Sequence, residues 1–134
     1  MATHQSSDIT LQRLTGGESY LGFIDEDLVA TITLKEPSAK DVCAWYERPG
    51  VWKFAQFGVC PSVQGKGVGS RMMDFVEARA QELGAEELAL DTSEHAHHLI
   101  RMYTKRGYRQ VDTADWEVTN YISVILSKRL SRDS

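Results

Sequence analysis

The chain has 134 residues, enough for one domain with a single buried core. Apolar residues make up 42% and charged residues 25%, an ordinary globular balance, and the formal net charge of -4 argues against nucleic acid or an anionic membrane as partner. No apolar run is long enough to span a bilayer, the start MATHQSSD lacks the apolar core of a signal peptide, and two cysteines, Cys43 and Cys60, give neither a metal spacing nor a disulfide framework, so a cytoplasmic location is expected.

In chain order, residues 1–7 read as a frayed start and Ile9–Leu14 as a first strand. Tyr20–Ile24 and Leu28–Leu34 flank the tripeptide DED and read as a hairpin. In its second arm, Leu28, Ala30, Ile32 and Leu34 alternate with Val29, Thr31 and Thr33, which is strand periodicity. Residues 35–50 hold two prolines and read as a loop with a short helical turn. Val51–Val59 is rich in aromatic and β-branched residues and predicts a strand. Ser70–Leu83 predicts a helix with Met72, Met73, Val76, Ala80 and Leu83 on one side and Gly84 as its stop. Glu87–Asp91 is a short strand, and His97–Arg106 a second helix with Leu99, Ile100 and Tyr103 inward and Gly107 as its stop. YRQVD and VTNYISVIL close the chain as two strands, and residues 130–134 read as frayed. The order β-β-β-β-α-β-α-β-β predicts one α+β (mixed α/β) domain over residues 1–134, built on a central sheet.

Between the fourth strand and the first helix lies CPSVQGKGVGS, with Gly65, Gly67 and Gly69 alternating. The first N–H groups of a helix have no partner within it, and with the helix dipole they attract an anion. Glycines let the backbone come close to phosphate oxygens and adopt positive φ. The other reading is a tight strand-to-helix turn without a ligand. Two phosphate loops are excluded. Lys66 is followed by Gly67, so no Lys-Ser/Thr pair ends a Walker A loop. Ser70 and Met72 stand where a dinucleotide fingerprint would need its last glycine.

The segment QGKGVG, Gln64 to Gly69, resembles the Q/R-x-x-G-x-G/A signature of the GNAT superfamily of N-acetyltransferases. The preceding FGVCPSV is similar to the family's bulged fourth strand and Pro-containing turn, and HLIRMYTKRGY, His98 to Tyr108, to its A-x-x-x-Y-x-x-x-G-F/Y segment. The resemblance covers about residues 19–128. It implies the GNAT fold: a mostly antiparallel mixed sheet with one splayed parallel strand pair and helices on its faces. It also implies acetyl-CoA as co-substrate and no metal. Gln64, Gly65, Lys66, Gly67, Val68, Gly69 and Ser70 would cradle the pyrophosphate. Phe57, Gly58 and Val59 would offer main-chain partners to the pantetheine arm, with Gly58 suited to a bulge or to a close backbone approach. An N–H near Val59 would polarise the thioester carbonyl.

The reaction implied is direct attack by a primary amine, of a small molecule or a protein, on the thioester. Tyr103 matches the tyrosine that the family often uses as acid toward the leaving thiolate; otherwise it is a packed helix residue. Lys66 is a phosphate contact or a solvated loop charge. The base is unassigned: Gln56 is no carboxylate, and Asp91, Glu94, His95, His97 and His98 cluster after the next strand, where EHAHH also reads as a solvated helix start. Cys60 reads as a small buried residue rather than a nucleophile, since the family mostly transfers directly. Trp45, Tyr46, Trp52, Trp116 and Tyr121 are packing residues or an acceptor wall. Two departures stand out. Ala96 occupies the place of a frequent asparagine, and only TGGE, Thr15 to Glu18, separates the first two strands, where the family usually carries two helices. Either the acceptor cleft is open there, or a partner subunit completes it, as a homodimer would. The alternative function is an acyl-CoA-binding module without turnover, serving as sensor or subunit.

Overall fold

A computed structural model describes residues 9–14, 17–38, 44–65, 67–115 and 122–130. The elements are β1 (Thr10–Arg13), β2 (Glu18–Ile24), β3 (Asp27–Lys35), β4 (Val51–Val59), α1 (Val68–Glu82), β5 (Glu87–Ser93), α2 (His97–Arg106), β6 (Arg109–Asp115) and β7 (Ile122–Arg129), with short 3-10 turns at Ala44–Glu47 and Pro61–Val63. The seven strands are ordered β1-β2-β3-β4-β5-β7-β6 in a mixed sheet, the α+β architecture expected. The chain groups into two compact units.

The first unit comprises the chain through Lys35 and Phe54–Arg79. Strand β1 joins β2 directly, in antiparallel register from Thr10↔Phe23 to Arg13↔Tyr20. Strands β2 and β3 form the expected hairpin around Asp25–Glu26, with Asp25 at φ 57 as a two-residue turn demands. Tyr20, Ala30, Ile32 and Leu34 are buried, so one face of this hairpin is core. Helix α1 buries Met72, Met73 and Val76. At Gly22 an added Cβ would stand 3.0 Å from Met72 Sδ and 3.5 Å from the Ala30 Cβ, so glycine there permits the close approach of strand and helix. Tyr20 meets Phe75 edge to face at 4.7 Å.

The second unit comprises Glu36–Lys53 and the chain from Ala80 onward. The start of β4 runs parallel to β5 over three pairs, Val51↔Glu87 to Lys53↔Ala89. Strand β5 pairs antiparallel with β7 from Glu87↔Arg129 to Ser93↔Ser123, and β7 pairs antiparallel with β6. Tyr46, Val51, Ala89, Ala114 and Ile125 make a core cluster, with Trp45 and Val111 against it. Gly84 at φ 101 ends α1 and Gly107 at φ 110 ends α2, the two stops expected. Leu83 lies beyond α1 and is only half-buried. Leu130 is tied down, its N–H donating to Glu86 O at 3.0 Å, which corrects the expectation of a frayed residue there.

Candidate active site

The glycine loop lies in the first unit. Its entrance is pinned: the Cys60 N–H donates to Val29 O at 2.7 Å, and the Gln64 side chain folds back so that Nε2 donates to Val59 O at 3.2 Å. Gln64 therefore braces the turn with its amide. Gly65 and Gly67 hold φ of 85 and 84, and a Cβ on either would meet nothing within 4 Å. Glycine is needed here for backbone conformation, and the space beside it is open. Lys66 lies outside the described residues.

Helix α1 begins at Val68, two residues earlier than predicted, and its first internal bond runs from Arg71 N–H to Gly67 O at 3.1 Å. The N–H groups of Val68 and Gly69 precede that bond, so helix geometry gives them no acceptor within the helix. At Gly69 a Cβ would sit 3.7 Å from Phe57 and Val59, ordinary contact distance, which seats the helix start on the end of β4. Phe57 and Val59 are half-buried and Gly58 is exposed.

The irregularity expected at Gly58 lies at Gln56 instead, whose φ is 55. Thr31 Oγ1 donates to Gln56 O at 2.9 Å and Thr33 Oγ1 to Gln56 Oε1 at 3.0 Å. Sequence reading weighed Gln56 only as a missing carboxylate and did not foresee its positive φ or its bonds to Thr31 and Thr33, although a polar side chain inside an apolar strand was a signal. Cys60 is half-buried rather than buried, and the Ser62 hydroxyl at 3.2 Å draws its thiol pKa down.

Tyr103 belongs to the second unit. It is 5% exposed, its ring stands edge-on to Tyr108 at 5.6 Å, and burial pushes its phenol pKa up to about 12. Ala96 is the N-cap of α2 and supplies no side-chain cap bond. His95, His97 and His98 are exposed, as a solvated helix start requires. Asp91 is exposed as well, but its Oδ2 accepts the Tyr46 hydroxyl at 2.7 Å, and the Lys53 ammonium lies 4.4 Å from the centre of the Tyr46 ring. Trp45 and Tyr46 are packing residues and Trp52 is half-buried; Trp116 and Tyr121 lie outside the described residues. Among the described residues, no helix is long and apolar enough to cross a membrane.

The acetyltransferase (GNAT) family matches the chain over residues 2–108. The chain belongs to that family and is an acyltransferase. It is 29% identical to an S-(2-succino)cysteine N-acetyltransferase of Bacillus subtilis (strain 168), over 98% of this chain and 78% of the relative. It is 36% identical to an S-alkylcysteine N-acetyltransferase of the same organism, over 63% of this chain and 47% of that relative. Among solved structures, a GNAT family acetyltransferase from Elizabethkingia anophelis with acetyl-CoA bound shares the fold at a TM-score of 0.68 and 20% identity, covering 89% of this chain and 80% of that one.

Proposed function

We propose that the protein transfers an acetyl group from acetyl-CoA to the primary amine of a small molecule. The observation that carries this is the loop of Gly65 and Gly67, held at positive φ, open above both glycines and running straight into α1. N–H groups at a helix start suit a diphosphate, and in this reading the loop from Gln64 to Ser70 cradles one. Phe57, Gly58 and Val59 supply main-chain groups for the pantetheine arm. The relatives' names point to a small amino-acid amine as acceptor, here an S-substituted cysteine or a compound like it.

In this reading the neutral amine attacks the thioester carbonyl, a C–N bond forms, the C–S bond breaks, and CoA leaves as thiolate. The amine's proton passes to water. Tyr103 is the group proposed to serve the sulfur. A phenol of pKa about 12 lies about 3.5 units above an ordinary thiol, so complete proton transfer to the thiolate is uphill by roughly 5 kcal/mol. Tyr103 therefore stabilises the leaving sulfur as a hydrogen-bond donor and keeps its proton. The reading includes a cytoplasmic location and a homodimer, which size-exclusion chromatography tests.

Thiol release from acetyl-CoA against a panel of amines tests the proposal. Release with a small amine, lost in Gly67→Glu and strongly reduced in Tyr103→Phe, supports it. Thermal stabilisation by CoA without release from any amine refutes transfer and leaves a binding module.

A further inference from the structure

Strands β2 and β3 turn Tyr20, Ile32 and Leu34 into the core. The alternate residues project from the other face. There Leu14, Ser19, Leu21, Thr31, Thr33 and Gln56 line a hollow of about 210 Å³, and none of its described lining residues carries a charge.

Its polar groups form a chain with a direction. Thr33 donates its one hydroxyl hydrogen to Gln56 Oε1, so the Ser19 hydroxyl, 3.0 Å from Thr33 Oγ1, is the donor to Thr33. With Oε1 fixed, the amide orientation of Gln56 is fixed too. Its Nε2 keeps two N–H groups that have no acceptor among the described residues. The backbone beneath is strained, since Gln56 carries a Cβ at φ 55, a region that favours glycine. The Thr31 bond to the Gln56 carbonyl holds that conformation.

A pair of N–H donors suits a carboxylate. Exposed Leu14 and half-buried Leu21 suit a hydrocarbon or thioether chain. A second carboxylate would find no cation in the hollow, and a second ammonium no anion. We propose that this hollow recognises the acceptor, an amino acid with an uncharged aliphatic or thioether side chain, by holding its carboxylate on Gln56 Nε2. The inference rests on the acetyl-transfer reading and narrows its acceptor.

The test is calorimetric titration of the full chain, with and without CoA, using three probes: S-propyl-L-cysteine, S-propylcysteamine, which lacks the carboxylate, and S-(2-succino)cysteine. The intact protein is expected to bind the first at least tenfold more tightly than either of the others. Gln56→Glu keeps the side-chain length and the Thr33 bond but replaces the N–H pair with a carboxylate. It should weaken S-propyl-L-cysteine at least tenfold and leave S-propylcysteamine within threefold. Thr33→Val, which frees the amide to rotate, should weaken the same probe alone. Equal affinity for the three probes, no binding of any, or a Gln56→Glu variant that binds like the parent overturns the proposal. Titration needs no turnover, so the two readings fail separately. Binding as expected without acetylated product refutes transfer alone. Acetylation of amines that is indifferent to Gln56 refutes the hollow alone.

Discussion

Arg79 of α1 grips both carboxylate oxygens of Glu18 on β2, Nε to Oε1 at 2.9 Å and Nη2 to Oε2 at 3.2 Å. The Tyr20 hydroxyl also donates to Glu18 Oε1, and Arg13 adds a contact at 3.1 Å. The Glu18 and Arg79 side chains are 16% and 27% exposed. The pair thus lies between exposed pairs, worth at most about 1 kcal/mol, and buried ones, whose breakage costs about 3–5 kcal/mol. Arg79→Met is expected to destabilise by about 2 kcal/mol, read in urea denaturation. A loss under about 0.5 kcal/mol would mean that the clasp is ornamental.

The clasp also sets a pH dependence. The hydrogen bond from Arg79 draws the Glu18 carboxyl below its usual 4.5. A depressed folded pKa means that the unfolded chain binds the proton more tightly, so this stability is present above about pH 4.5 and is lost as pH falls through the folded value. Glu18→Gln should flatten the acid limb of stability measured from pH 7 to 3. An unchanged acid limb would assign it to other carboxylates.

The bare start of α2 offers a gain. Ala96 caps the helix without a side-chain bond. Ala96→Asn should stabilise by about 1 kcal/mol, read as a raised thermal midpoint. No gain would show that the cap geometry is unsuited to a side-chain acceptor.

Two loop glycines should part company. Gly67 needs φ 84, so Gly67→Ala should destabilise by about 1 kcal/mol and weaken CoA binding. Gly69 lies inside α1, outside the positive-φ positions, and its Cβ would meet only ordinary contacts, so Gly69→Ala should be neutral or stabilising by up to about 1 kcal/mol. Thermal melts with and without CoA check both. Equal losses at the two positions would contradict this account of the loop.

Tyr103, with its pKa raised to about 12 by burial, stays protonated across the working range. Its raised folded pKa contributes stability that is present below about pH 10 and lost as pH rises through 12. Activity should therefore show no alkaline limb from this residue below about pH 11. Tyr103→Phe should lower kcat by about 10²-fold with KM for the amine little changed. A variant that melts lower with unchanged kcat would make Tyr103 a packing residue.

Much of the fold was legible because local signals agreed. β4 and α2 have the predicted bounds, since aromatic and β-branched richness marks one and a glycine stop the other. β7 was read as ending at Leu126 but continues to Arg129, because pairing with β5 carries polar residues along: Ser127 is fully buried and donates to Glu87 at 2.7 Å. No local pattern encodes that neighbour. The same reason hid Gln56. A chain reader places strand irregularity at Gly58, whereas two threonines from β3 hold the strained backbone two residues earlier. The glycine loop was visible at once, because positive φ writes itself into composition.

The most direct measurement of the central claim is the identity of the product. Acetyl-CoA, S-propyl-L-cysteine and the protein are mixed, and the products are resolved by mass spectrometry. The account predicts N-acetyl-S-propyl-L-cysteine and free CoA in equal amounts, with neither formed by Gly67→Glu. Free CoA without acetylated amine, or unchanged acetyl-CoA with a protein that CoA nonetheless stabilises, would contradict it.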